Sequence, residues 1–470
     1  MLEQASSILG RVAMGRHSLA VLGGVAIATT FFLPIAAAGH INASLLMWTP
    51  RHTVELACAW LALAWGASTA LVWFSRDPRP RRQSILLLLL VAPSALSLFA
   101  VAGRNGGLAE SDSVRIVAIG AAIVVMVVAG VVWVFRPDLL VKAIRCTLPF
   151  GVLLLPPAIM QVGALSTERP VDALPPAERS SVLRSSGPLC ESVYVLIFDE
   201  LGYDAVFHGG QATLSSIGRM ATSARVYHNA VAPTESTETS IAAYLSVSAG
   251  QPPDTKMAAR GPMGVARSIG LKTEVVGWYI PYCEMLGSYA DLCKAYSMYN
   301  ASTLYDRFNP FAPFVTVLNI WPYQLPTGFL KRPAAVWLHK AELEAIIHDA
   351  SAPPSRRPVL RWVHFNVPHV PWLRNTGVLA IRAFDNTRDR YFAQLDEVDR
   401  ALSTVLRSAE SDDHIIVVVT ADHGSRRGHA GDHLHVPLIV WHRGWTREDV
   451  LSQVRVRDVL DDIIAGACRD

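Results

Sequence analysis

The chain has 470 residues, 51% of them hydrophobic, a net charge of +3 and a mean hydropathy of +0.29. That is too apolar for an average soluble enzyme. The net charge itself is uninformative, and no Lys/Arg run interleaved with aromatics suggests nucleic acid as a partner.

The apolar excess sits at the N-terminus. Residues 18–38, 54–74, 84–103, 113–134 and 146–164 are near-continuous apolar stretches. Each is close to the ~20 residues that a helix needs to cross the hydrocarbon core. Five in succession, joined by short polar loops, predict a helical membrane domain over residues 1–165. The first stretch is long and four more follow, so it does not read as a cleaved signal peptide. Arg11 and Arg16 precede the first span. Arg76, Arg79, Arg81 and Arg82 follow the second, and Arg136, Lys142 and Arg145 lie between the fourth and fifth. The intervening loops, 40–52 and 104–112, are poorer in Lys and Arg. The positive-inside rule then puts the N-terminus in the cytoplasm. Everything after about residue 165 is expected on the periplasmic, extracytoplasmic side of a multi-pass inner (plasma) membrane protein.

Residues 166–189 are polar and Pro/Ser-rich and read as a linker. Residues 190–470 are long enough for one sizeable α/β domain. Cys190, Cys283, Cys293 and Cys468 fall in this part, where an oxidising compartment permits disulfides. Cys283 and Cys293 are near enough to close one loop, and Cys190 and Cys468 stand at the two ends of the domain. Four cysteines allow three pairings, so the choice stays open.

Strands are expected at 192–198, 224–232, 271–279, 360–367, 414–420 and 437–441. Helices are expected at 211–222, 238–246, 256–269, 334–349 and 386–409. This alternation predicts a doubly wound, mostly parallel sheet. Open α/β sheets bind ligands at the carboxyl ends of their strands, and three of these strands end in polar groups. The first ends in Asp199-Glu200. The strand around 360 carries His364 and runs into His369. The strand at 414 ends in Asp422-His423-Gly424, with His429, Asp432, His433 and His435 behind it. Adjacent carboxylate and imidazole suit a metal. Between them, residues 229–250 are rich in hydroxyls just before an apolar helical run. A hydroxyl at a helix N-terminus serves as a cap or as a nucleophile toward an anion, and the two roles are compatible.

The order FDELG, T-x-x-S-x-x-x-x-x-S, H-x-x-x-x-H-x-P and ADHG resembles the alkaline phosphatase and sulfatase superfamily across residues 190–470. With membrane spans in front, the chain is similar to the lipid A phosphoethanolamine transferases and the lipoteichoic acid synthases. The resemblance implies metal ligands at Asp199, Glu200, Asp422 and His423. It implies a transiently phosphorylated nucleophile at Thr237, with Thr239 in reserve. It assigns His364 and His369 to the substrate phosphate or a second metal, and His433 or His435 to a later substrate-binding histidine. Position 237 is neither Cys nor Ser, the precursors of the sulfatase aldehyde, and residues 238–241 lack the accompanying Pro and Arg. Sulfate-ester hydrolysis is therefore disfavoured. The cysteines that bracket the transferase nucleophile, and the transferase Gly-Glu-Thr on the first strand, are absent too. The implied activity is transfer of a phospholipid head group, of phosphoethanolamine or phosphoglycerol type, to an envelope glycan or lipid. A sulfatase-like hydrolase is the alternative. Mixed O and N ligands favour zinc, then manganese.

Overall fold

A computed structural model describes residues 16–76, 79–105, 134–167, 190–208, 214–247, 259–324, 333–354, 358–373, 387–409, 414–425 and 433–468. The chain divides into two units, Met1–Glu168 with Tyr299–Ala334, and Arg169–Met298 with Ala335–Asp470.

In the first unit the three leading apolar stretches form helices α1 (Arg16–Leu46), α2 (Pro50–Phe74) and α3 (Pro80–Asn105). Among the described residues two helices, over Ser18–Ile35 and Pro50–Phe74, are long and apolar enough to cross a membrane. Small residues let α1 and α2 approach closely: a Cβ added at Gly24 would meet the Ala64 carbonyl oxygen at 2.4 Å. The fourth expected span, 113–134, lies almost wholly outside the described residues. The fifth, 146–164, is not one continuous helix. A 3-10 segment, Leu148–Leu154, separates helices Pro137–Thr147 and Leu155–Thr167. Pro149, Pro156 and Pro157 fall at the break: each lacks the N–H of the helical ladder, and Pro156 and Pro157 open the helix that follows, where that N–H has no partner to lose.

The stretch Tyr299–Ala334 lies within the range expected to be catalytic, yet it packs with this helical unit. Its helix, Ala312–Gln324, sets Val317 and Ile320 among Phe32, Ile35, Leu46, Leu56 and Ala59. Buried polar contacts pin it further. Asn300 Nδ2 donates to the Leu46 carbonyl at 2.9 Å, Arg51 Nη2 to the Tyr305 carbonyl at 2.8 Å, and the Asn309 N–H to Glu55 Oε1 at 2.9 Å.

The second unit is built on one eight-stranded sheet in the order β4-β3-β5-β1-β6-β7-β2-β8. The strands are β1 (Ser192–Asp199), β2 (Ala224–Val231), β3 (Lys272–Trp278), β4 (Leu292–Tyr296), β5 (Val359–Pro368), β6 (Ile415–Ala421), β7 (His435–His442) and β8 (Glu448–Arg455). All neighbours are parallel except the two pairings of β7, which is antiparallel to both β6 and β2. The sheet is thus mixed but mostly parallel. β1, β5 and β6 are adjacent at its centre and buried along their whole length. Burial on both faces is why they read as unbroken apolar runs. Strands β4 and β8 were not among those expected. β4 is short, and β8 is a polar, exposed edge strand that pairs only with β2, so neither shows an apolar run. Helices α4 (Thr237–Leu245), α5 (Pro333–Ser351) and α6 (Thr387–Ala409) complete the frame used below.

Disulfides join Cys190 to Cys468 and Cys283 to Cys293. The first closes a separation of 278 residues, and the Glu191 N–H beside it donates to the Ala467 carbonyl at 2.9 Å. In the chain-entropy description such a clamp is worth about 5 kcal/mol, less any native strain. Replacing Cys190 and Cys468 by serine is expected to lower stability by several kcal/mol, read as a lower denaturant midpoint. An unchanged midpoint would show the bridge to be energetically idle.

Candidate metal centre

Parallel registry brings the ends of β1 and β6 side by side, with Phe198 opposite Ala421, so that Asp199 and Asp422 leave the sheet at the same edge. The chain then turns sharply. Glu200 takes φ +64°, a left-handed conformation unusual for a residue with a side chain. Its N–H donates to Asp422 Oδ1 at 3.0 Å, and its carbonyl accepts from the Tyr391 hydroxyl at 2.9 Å. The same hydroxyl accepts from the Gly202 N–H at 3.2 Å. Tyr391, on α6, thus clamps the turn. Such strained turns cost on the order of 1–3 kcal/mol and persist where their surroundings over-determine them.

Asp422 divides its two oxygens. Oδ1 accepts the N–H groups of Glu200 and His423, at 3.0 and 2.8 Å. Oδ2 is buried, accepts no hydrogen bond, and lies 3.4 Å from His423 Nε2. His423 Nδ1 lies 2.8 Å from the Gly424 carbonyl, which only accepts. Nδ1 therefore carries the proton, and Nε2 presents its lone pair toward Asp422 Oδ2 and Thr237 Oγ1, the latter at 3.3 Å. Asp199 completes the group: single ligand atoms of Asp199, Asp422 and His423 all lie within 4.8 Å of one another, and all three residues are buried. Two carboxylates and an imidazole lone pair converging in buried space repel each other unless a cation stands between them. Their donor set, two oxygens and one nitrogen, fits a divalent metal. The Glu200 carboxylate stands outside this trio, 4.0 Å from His369 Nε2.

Thr237 is the first residue of α4, and Ser236 precedes it as an extended N-cap. Ser240 is turned away from the trio: its hydroxyl donates to the Thr234 carbonyl at 2.8 Å and accepts the Thr234 N–H at 3.1 Å. Thr239 bonds Thr234 and Ser236 in the same capping cluster, and Ser246 meets Arg457 at the far end of the helix. Of these hydroxyls, Thr237 is the one beside His423. Tyr244, two turns along α4, donates to the Ala421 carbonyl at 3.0 Å and so ties the helix to the end of β6. An anion approaching Thr237 meets a helix N-terminus.

His364 is fully buried, and burial lowers its pKa to about 4. Its Nδ1 lies 2.9 Å from the Tyr282 hydroxyl. Burial raises the Tyr282 pKa well above the phenol range, so this hydroxyl keeps its proton. The Trp278 backbone carbonyl, which only accepts, also hydrogen-bonds the ring, while Nε2 is buried without a hydrogen-bond partner. Asp422, His423 and His369 are its electrostatic neighbours. His369 sets Nδ1 2.5 Å from the Val370 carbonyl and packs its ring on Trp278, with centroids 5.4 Å apart. His433 Nδ1 lies 3.1 Å from the Ser425 carbonyl, and the His433 carbonyl accepts the Gly424 N–H, so this residue is tied to the 422–425 turn. His435 points elsewhere: Nε2 donates to the His228 carbonyl at 2.8 Å, and the ring stacks on Tyr203 at 4.1 Å. His429 and Asp432 lie outside the described residues. Tyr282, Tyr391 and Tyr244 carried no motif signal, since a tyrosine in an apolar stretch reads as core.

Residues 323–464 match the family model described as Sulfatase, a span that includes His364, His369, Asp422 and His423 but neither Asp199 nor Thr237. No curated protein matches the chain. Among solved structures, Ps i-CgsB in complex with k-i-k-neocarrahexaose is 15% identical, with a TM-score of 0.42, and the match covers 60% of this chain and 73% of that one. A putative sulfatase from Bacteroides thetaiotaomicron VPI-5482 is 16% identical, with a TM-score of 0.41 and coverages of 59% and 71%. The phosphonate monoester hydrolase of Agrobacterium radiobacter is 14% identical, with a TM-score of 0.39 and coverages of 59% and 73%. The segment similar to the Sulfatase family model thus forms part of a mixed α/β sheet.

Proposed function

We propose that the chain transfers a phospholipid-derived phospho-head group, of phosphoethanolamine or phosphoglycerol type, to an envelope glycan or lipid through a phosphothreonine at Thr237. The observation that carries this reading is the threonine hydroxyl at a helix N-terminus, 3.3 Å from His423 Nε2 and beside the three-ligand cluster. A divalent cation held by Asp199, Asp422 and His423 would supply positive charge beside the attacking and phosphate oxygens. Thr237 Oγ1 gives up its proton to solvent and forms the new P–O bond as the P–O bond to diacylglycerol breaks. His369 would supply a proton to the departing oxygen, and His364 would hold a phosphate oxygen. An acceptor hydroxyl then attacks the phosphothreonine, and Thr237 recovers its proton.

A lipid donor suits the first unit. Leu61, Trp65 and Trp73 of α2, Leu89 of α3, and Ile159 and Met160 are all exposed, Trp65 to 75%. An apolar surface of this extent is expected against lipid. This supports a membrane location; the periplasmic side for the catalytic unit is part of the proposal and rests on the basic loops of the sequence. The family match over 323–464 favours a second reading, hydrolysis of a phosphodiester or sulfate ester with water as acceptor. A phospholipid labelled in its head group separates the two. Transfer is expected to yield diacylglycerol and a labelled envelope acceptor. Free labelled head-group phosphate as the sole product would select hydrolysis.

A further inference from the structure

Two contacts hold the fully buried ring of His364, and both come from the end of β3 and the turn behind it. One is the Trp278 backbone carbonyl; the other is the Tyr282 hydroxyl, 2.9 Å from Nδ1. Trp278 is itself tied to α5, its indole N–H donating to Glu342 Oε2 at 2.8 Å. Tyr282 follows only a few residues later, so the chain must double back at once for both to meet one ring. The Ile280 N–H donates to the Trp278 carbonyl at 2.7 Å, and the Tyr282 N–H to the Ile280 carbonyl at 2.8 Å. Tyr279, inside this reversal, takes φ +67°, a left-handed conformation unusual for a residue with a side chain.

The reversal lays the Tyr282 ring on Gly277 of β3. A Cβ added at Gly277 would meet Cδ2 of that ring at 2.1 Å and Cε2 at 2.3 Å. The ring is wholly buried and has no room to yield, so glycine is what keeps the slot open. The residue after Tyr282 closes the seat from the other side. Cys283 is bridged to Cys293 of β4, which lies opposite Val275 of β3 in the ladder. The other neighbour of β3 is β5, where His364 stands. Because Tyr282 grips Nδ1, the direction of Nε2 is set as well. That atom is buried without a hydrogen-bond partner, with Asp422, His423 and His369 around the ring.

We propose that Tyr282 is a positioning residue, seated by Gly277 and the Cys283–Cys293 bridge, whose hydroxyl holds His364 in the orientation that the phosphate site uses. The phosphate contact of His364 rests on the transfer reading; the link from the bridge through Tyr282 to His364 does not.

The test uses the full chain in detergent micelles, with isotope-labelled histidine followed by nitrogen NMR. The imidazole signals of His364 are assigned by their loss in His364→Gln. Phenylalanine at 282 fills the same slot and lacks only the hydroxyl, so the fold is expected to stand. In Tyr282→Phe the His364 signals are expected to shift, and they should shift again when Cys283 and Cys293 are both replaced by serine. Unshifted signals in Tyr282→Phe would overturn the proposal. Signals that stay put in the serine pair would remove the bridge from it. Should the serine pair not fold, Gly277→Ala pushes the ring from its slot with bridge and hydroxyl intact. It carries the same expected shift, and unmoved signals there would overturn the seat.

In activity on a head-group-labelled phospholipid, Tyr282→Phe should lose on the order of 10–100-fold in kcat, as partners behind a site residue do, with KM close to wild type. A raised KM with kcat unchanged would make the hydroxyl a binding group and overturn the positioning role. Since the bridge acts through Tyr282, adding Tyr282→Phe to the serine pair should cost no more than the larger of the two losses. Losses that multiply would show the bridge acting elsewhere. Wild type inactive on the labelled phospholipid, with the NMR shifts present, would sink the transfer reading and leave the hold of Tyr282 on His364 standing.

Discussion

Thr237→Ala is expected to reduce transfer by on the order of 10³-fold or more while leaving the protein folded. The substitution removes one hydroxyl and one methyl from the first turn of α4. The capping cluster of Thr234, Ser236, Thr239 and Ser240 stays intact, and so does the tie from Tyr244 to Ala421. Intact-mass analysis after exposure to membranes should find a head-group phosphate adduct on wild type and none on the variant. Thr239→Ala, which trims only the cap, should keep the adduct. If the alanine variant at 237 still acquired the adduct, the nucleophile would lie elsewhere and the proposed chemistry would fail.

Metal removal is the second large effect. A chelator is expected to bring activity to background, and zinc or manganese to restore it. It should also lower the melting temperature, because a ligand present at 100 times its Kd contributes about 2.7 kcal/mol to the folded state. Asp422→Asn sharpens the test. The asparagine carbonyl can still accept from the N–H groups of Glu200 and His423. Its amide would stand where Oδ2 now lies, 3.4 Å from His423 Nε2, and would donate to that lone pair. The metal-free variant is therefore expected to melt above metal-free wild type and to show no metal-dependent shift. A variant that melted lower when stripped and still responded to zinc would remove Asp422 from the ligand set.

The strands that hold the site were legible because their burial is total. β1, β5 and β6 are covered on both faces, so each appears in the chain as an apolar run that stops where the polar tip begins. Asp199, Asp422 and His423 were legible for the same reason. The division of labour inside the trio was not. That Asp422 spends one oxygen on backbone N–H groups, and that His423 turns Nε2 inward, depends on contacts between segments more than 180 residues apart. His433 and His435 show the limit of spacing arguments. They are two residues apart, yet one is tied to Ser425 and the other to His228. The edge strand β8 escaped notice because half-exposed polar residues pair as well as apolar ones when a neighbour supplies the ladder. The proline-rich stretch at 149–157 has the composition of a membrane span but not the continuous backbone, which hydropathy alone does not record.

The excursion Tyr299–Ala334 means that no single cut separates the two halves of this protein. A fragment starting at residue 190 would still contain the helix Ala312–Gln324, with Val317 and Ile320 stripped of Phe32, Ile35 and Leu56. Each such side chain returned to water costs about 1.5–3 kcal/mol, and a bare apolar helix invites self-association. The polar ends would suffer as well, since Asn300 and Asn309 would lose Leu46 and Glu55. Excising the sheet-bearing half intact therefore takes three incisions, with the helix left behind on the half where it belongs.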